Sequence, residues 1–238
     1  MVTTKLIKET IGKVAEAADF LYEGRDLEGW KYVKQEDGVK LTIYVSITRG
    51  MYRELRMELL STAYGRTPVC IAGEMINDIK NFKITLMEFA DTLKHEGIPS
   101  LLELSKPTSE IHPTEEMYNE LFRNHAILSK KYMEKHGINK IESLEKVCNR
   151  IFTELQIMNQ MDSDIHMALI EMAAYLGNGY VENYGGEWLW IKKYSTCIVS
   201  KTDIYLINPL ATVIGTFIDH NEYILNQFYS NKKLAEDK

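Results

Sequence analysis

Asp162-Ser163-Asp164-Ile165-His166 puts a carboxylate and an imidazole four residues apart, the spacing at which one helix face could offer both to an ion. The segment implies no third ligand. Asp162 or Ser163 is more simply the cap of a following helix and Asp164 a complement to its dipole, which leaves His166 at the surface. His125 sits on the apolar stripe of Tyr118, Leu121, Leu128 and Tyr132, where a neutral ring finds a tyrosine or backbone partner. Acid–base use of His125 would need a nucleophile or carboxylate beside it. Cys148 and Cys197 are conceivable nucleophiles, but their apolar neighbours predict inert, buried thiols. Glu182 and Glu187 flank Gly185-Gly186, and a working carboxylate pair needs a cleft holding the groups ~5–9.5 Å apart. Solvated acids at a helix end and a strand end are the simpler expectation. Gly177-Asn178-Gly179 falls within a helical pattern with no Gly-Lys-Ser/Thr after it, so it is no phosphate loop. The chain has no Walker loop, no GxGxxG after a strand, no GxSxG elbow and no HExxH helix. The expectation is therefore no catalytic residue, no metal and no cofactor. His125, His166, Asp162 and Asp164 are the residues worth testing should the protein prove to be an enzyme.

The aromatic segment Met172–Pro209 is more distinctive. Trp188 and Trp190 alternate with Leu189 and Ile191, so a strand would project both indoles from one face and the aliphatic pair from the other. Such a strand is buried twice, or buried on one face and adhesive on the other. Trp and Tyr dominate interface hot spots, which makes Trp188, Trp190, Tyr194 and Glu187 the candidate partner-binding residues, with Lys192 and Lys193 as a polar rim.

The elements that must position these residues follow from periodicity. Ile7, Ile11, Val14, Ala18 and Leu21 predict a first helix, with Gly24 and Gly29 after it. Residues 30–34 alternate, Glu36-Asp37-Gly38 is a turn signal, and Val39 to Ile47 reads as a strand. Met51 to Leu60 suits a third strand, although Leu55, Leu59 and the interleaved charges also fit a helix. A long helix is expected over Ile71 to His95, stopped at Gly97-Ile98-Pro99. Thr114 with Glu115-Glu116 opens another helix that runs to His136-Gly137. Further helices are predicted over Ile141 to Gln160 and Ile165 to Tyr184. Short strands over Trp188–Lys192, Cys197–Ser200 and Ile204–Ile207 follow, then a break at Asn208-Pro209. A last helix spans about Ala211 to Tyr229, and Lys232 to Lys238 forms a frayed tail.

Strands grouped between helices predict an α+β fold: antiparallel meanders flanked by helices, with a helix-rich middle. The prolines between Pro99 and Pro113 suggest a helix/three-strand/helix unit over 1–106. A helical segment with a short meander and terminal helix would fill 107–238, or the whole could be one compact domain.

The 238 residues suffice for a substantial core, and 45% hydrophobic with 26% charged residues is the balance of a folded protein. A net charge of −6 without Lys/Arg clusters disfavours nucleic acid and suits a basic partner. Cys70, Cys148 and Cys197 are too few and too scattered for a disulfide framework. The N-terminal segment lacks the apolar core of a signal peptide, and no stretch is apolar enough to span a bilayer. A cytoplasmic protein is expected.

Tyr175-Leu176-Gly177, Gly185-Gly186-Glu187-Trp188 and Asn208-Pro209 together resemble a pattern in small bacterial proteins of unknown function. In these a Tyr-Leu-Gly helix ends at Gly-Gly-x-Trp, and strands and an Asn-Pro break precede a last helix. The resemblance covers about Ile165 to Tyr229. Some of these proteins are held to be immunity proteins that neutralise toxins of competing bacteria. It implies a non-enzymatic protein that binds a macromolecular partner, in the manner of an immunity or inhibitor protein acting by steric occlusion. The alternatives are an enzyme with an unfamiliar site and a structural or adaptor protein.

Overall fold

The computed structural model describes residues 2–26, 29–36, 38–48, 53–62, 69–75, 78–103, 105–106, 109–160, 163–201, 206–222 and 224–225, with backbone alone for Val2, 69–75 and Leu206. The fold is α+β. The chain divides into two compact units, Met1–Pro107 and Thr108–Lys238. Among the described residues no helix is long and apolar enough to cross a membrane.

The first unit opens with α1 (Val2–Ile7), a π turn (Lys8–Gly12) and α2 (Lys13–Glu16). An antiparallel meander follows in the order β1 (Leu21–Arg25), β2 (Gly29–Glu36), β3 (Val39–Ile47), β4 (Glu54–Ser61) and β5 (Val69–Met75). It closes with α3 (Ile79–Thr92), a second π turn (Leu93–Gly97) and α4 (Ile98–Glu103). Alternate residues of β3 (Val39, Leu41, Ile43 and Val45) join Ile7, Ile11, Phe82, Leu86 and Leu101 in one apolar core, as the period-2 pattern requires. The intervening Lys40, Thr42, Tyr44 and Ser46 are buried as well. Lys40 belongs to a charged strap: its ammonium and that of Lys31 each lie 3.0 Å from an oxygen of Glu23. Burial works to raise the Glu23 carboxyl, but the two lysines hold it below its usual range.

Three expectations for this unit need correction. The first helix does not reach Leu21: Asp19, at φ 67°, turns the chain, and Leu21 starts β1 with 72% of its surface exposed. Residues 71–75 are strand rather than helix, because Val69–Met75 pairs with β4. α3 starts instead at Asp78, whose side chain accepts the Asn81 N–H at 2.8 Å. Gly97-Ile98-Pro99 does not stop the helix either. The second π turn carries it into α4, so Pro99, which has no N–H to donate, sits within one continuous helical run.

The second unit contains α5 (Glu115–Lys135), α6 (Leu144–Leu155), α7 (Ile165–Tyr184), β6 (Glu187–Ile191), β7 (Thr196–Ser200), β8 (Leu206–Ile207) and α8 (Pro209–Asp219). Caps fix the boundaries. Thr114 accepts the Met117 N–H, and Asn208 accepts the Ala211 N–H ahead of a proline at the helix start. α6 ends at Leu155, short of Gln160. The expected strand start at 204 and the tail 232–238 lie outside the described residues. The last helix starts at Pro209 and ends at Asp219, well short of Tyr229, because His220 at φ 48° turns the chain left-handed. α7 is the hub: it packs against α5, α6, α8 and β7 and is apolar on nearly every side.

Tyr32 is fully buried, and its hydroxyl has no hydrogen-bond partner among the described residues. That hydroxyl would stand 2.8 Å from a Cβ added at Gly12 in the π turn. Tyr32→Phe removes an unsatisfied polar atom and should stabilise the protein by about 1 kcal/mol in urea denaturation. Gly12→Ala should cost more in the wild type than in the Tyr32→Phe background. Equal costs in both would show that the contact is not limiting.

Candidate functional site

Trp188 of β6 is held by two helices, α7 and α5. Its ring fills the space over Gly177 of α7, where an added Cβ would lie 2.2 Å from an indole carbon. Its N–H donates to Asn178 Oδ1 at 2.9 Å, and the His125 ring of α5 stacks on it at 4.9 Å. The Asn178 side chain also donates from Nδ2 to the His125 carbonyl at 3.2 Å, which turns its oxygen toward the indole and toward His125 Nδ1, 3.0 Å away. An oxygen in that position only accepts, so His125 carries a proton on Nδ1. His125 thus binds within the α5–α7–β6 junction. Trp190 points the same way and packs at 5.8 Å against Phe122 of α5. Both indoles are half-buried against the core.

The other residues singled out are dispersed. Glu187 is exposed at the start of β6, an edge strand, and Tyr194 is half-buried with the Lys193 ammonium 5.3 Å from its ring centre. Glu182 is exposed. His166 and Asp164 are exposed at the start of α7, and Asp162 lies outside the described residues. Among the described residues no group of three His, Cys, Asp or Glu side chains could hold a metal ion. Cys148 and Cys197 are buried, and burial pushes each thiol up to about 12. Both stay protonated at neutral pH and are poor nucleophiles. The side chain of Cys70 falls outside the description.

Sequence reasoning missed a charged cleft of about 560 Å³ at α6, lined by His136, Glu142, Lys146, Asn149, Arg150, Thr153, Glu154 and Ile157. The core face of α6 is Leu144, Val147, Cys148, Ile151 and Leu155, so its remaining face supplies most of the wall. Behind it, Tyr132 and Tyr175 stack at 4.8 Å. Each hydroxyl serves a different carboxylate: Tyr132 donates to Glu154 at 2.7 Å and Tyr175 to Glu142 at 3.2 Å. Burial and then Glu154 raise the Tyr132 hydroxyl above its ordinary value, while burial and then Glu142 push Tyr175 up to about 12. Arg150 Nε donates to Glu142 at 3.0 Å, which holds that carboxyl below its usual range against the opposing effect of burial. His136 Nε2 lies 3.2 Å from Glu154 Oε2, within ion-pair distance but off the line a hydrogen bond needs, so this buried nitrogen makes none. Each tyrosine lies far in sequence from the carboxylate it serves, which hides the network. The visible signal was Glu142, Lys146 and Arg150 at four-residue steps.

No protein-family model, curated protein or solved structure matches the chain.

Two outcomes test this geometry. Asn178→Leu strips partners from the Trp188 N–H and from both His125 groups, and should cost about 2 kcal/mol in chemical denaturation with a shift in tryptophan emission. An unchanged midpoint would show that the bonds contribute nothing. Glu142 has a lowered carboxyl, so its stabilisation is fully present above the unfolded carboxylate value of about 4.3 and is lost as pH falls through the lower folded value. The stability gap between wild type and Glu142→Gln should therefore be constant above about pH 5 and shrink below about pH 4. A gap that widens in acid would reverse the sign.

Proposed function

We propose that the protein acts by binding a macromolecular partner, with the α6 cleft as the centre of the contact surface. One observation carries this: Ile157, 82% exposed, stands at the cleft beside Arg150. Arginine is among the residues that most often carry interface affinity, and the aliphatic side chain on the same cleft would add apolar area on burial. Three of the groups that could perform chemistry are buried or engaged. Both described thiols are buried and protonated, and His125 is tied to Asn178 and stacked on Trp188.

The edge strand β6 and the turn after it supply a second contact point through Glu187 and Tyr194, while Trp188 and Trp190 fix that strand from behind. The net charge of −6 favours encounter with a basic partner. The resemblance over Ile165 to Tyr229 gives the sharper form: a bacterial, cytoplasmic immunity or inhibitor protein that occludes its partner's working surface.

The protein should co-purify with one partner at fixed stoichiometry. Ile157→Asp should weaken that complex at least tenfold in calorimetry without moving the melting temperature, the loss typical of a hot spot. Retention of full affinity by Ile157→Asp, or failure to find any stoichiometric partner, overturns the proposal.

A further inference from the structure

We propose that the α6 cleft is an oxyanion site, taking a carboxylate or phosphate group between Lys146, Asn149 and Arg150. This deepens the binding proposal and rests on it only for the choice of surface. The three side chains share one helix face, since residues three and four apart are neighbours about 5–6 Å apart on that surface. A single oxyanion reaches across that gap to contact both cations.

The hydrogen-bond inventory of the cleft favours an acceptor as its guest. Glu142 faces Arg150 and Tyr175, and Glu154 receives the Tyr132 hydroxyl and lies beside His136. One oxygen of each carboxylate, Oε2, thus has its partners within the fold. Arg150 spends one N–H on Glu142, and a guanidinium has five. Lys146 is exposed and has no salt bridge within 4.0 Å among the described residues, although it feels the charge of Glu142. Lys146 and the remaining N–H groups of Arg150 thus stay available to a guest on the open side. The Glu142 contact also orients the guanidinium, so less rotamer freedom is lost when an anion binds. Thr153 donates its hydroxyl to the Asn149 backbone carbonyl at 2.8 Å, and both residues line the cleft.

The full-length protein labelled with ¹⁵N tests this directly, through the Arg150 Nε–H resonance. Titration with inorganic phosphate at constant ionic strength should shift that resonance saturably, with a dissociation constant of about a millimolar. Lys146→Gln, an exposed substitution that leaves the Glu142–Arg150 contact in place, should weaken binding at least fivefold. Acetyl-aspartate amide separates the sources: saturable binding of it assigns the site to an acidic side chain of a partner, and binding of phosphate alone assigns it to a phosphate group. Matching shifts from chloride, a response that never saturates, or undiminished binding by Lys146→Gln overturns the oxyanion site. Partner binding that depends on Ile157 could still stand in that event.

Discussion

The approach of Trp188 to Gly177 is the constraint on which the C-terminal unit depends. A hub helix packed by four neighbours must leave room for each, and α7 does so with small residues on opposite sides. Gly177 admits the indole of β6 and the ring of Pro209 at the start of α8, while Gly179 lets Val147 of α6 come close. Any side chain at 177 would push out the ring that seats the three-stranded sheet. The same ring sets the position of His125 and Asn178, so the contact governs how α5, α7 and β6 lock together. Gly186 completes the arrangement: at φ 109° its backbone passes so near Ser200 that an added Cβ would lie 2.6 Å from the carbonyl oxygen.

Much of this was legible in the sequence because it is local. Period-2 alternation marked β3, and the caps at Thr114 and Asn208 fall where their residue types place them. The alternation of Trp188 with Leu189 assigned the two faces of β6 correctly, with Trp188 and Trp190 turned to the helices and Leu189 paired opposite Ile198. What was missed is non-local. Val69–Met75 becomes a strand because β4 offers it a free edge, a circumstance absent from its own composition. The α6 cleft depends on Tyr132 meeting Glu154 and Tyr175 meeting Glu142 across 22 and 33 residues.

The cleft network shows how buried polar groups can be arranged without an isolated charge. The stacked tyrosines bring their hydroxyls to two carboxylates from the core side, and Arg150 neutralises one of those carboxylates from the solvent side. Glu142 keeps one donor if the other is lost, whereas losing the Tyr132 hydroxyl would leave Glu154 without a hydrogen bond among those described; the net worth of the intact pairs is modest. This arrangement specifies the geometry of the α5–α6–α7 junction more than it adds to stability.

The two π turns of the N-terminal unit share a consequence. Ile7, Ile11 and Ala15 are four residues apart, and so are Phe89, Leu93, Gly97 and Leu101, and each series is buried while running through a π turn. In a plain α-helix every four-residue step overshoots the turn of 3.6 residues by about 40°, so such a stripe would wind away from the sheet. The wider π turn undershoots and cancels the drift, which lays each stripe along the helix axis over the strands. Chain length within Lys8–Gly12 and Leu93–Gly97 is thus under tighter constraint than most side chains there. Removing one residue would rotate everything beyond it by about 100° and swing Ala15 or Leu101 out of the core.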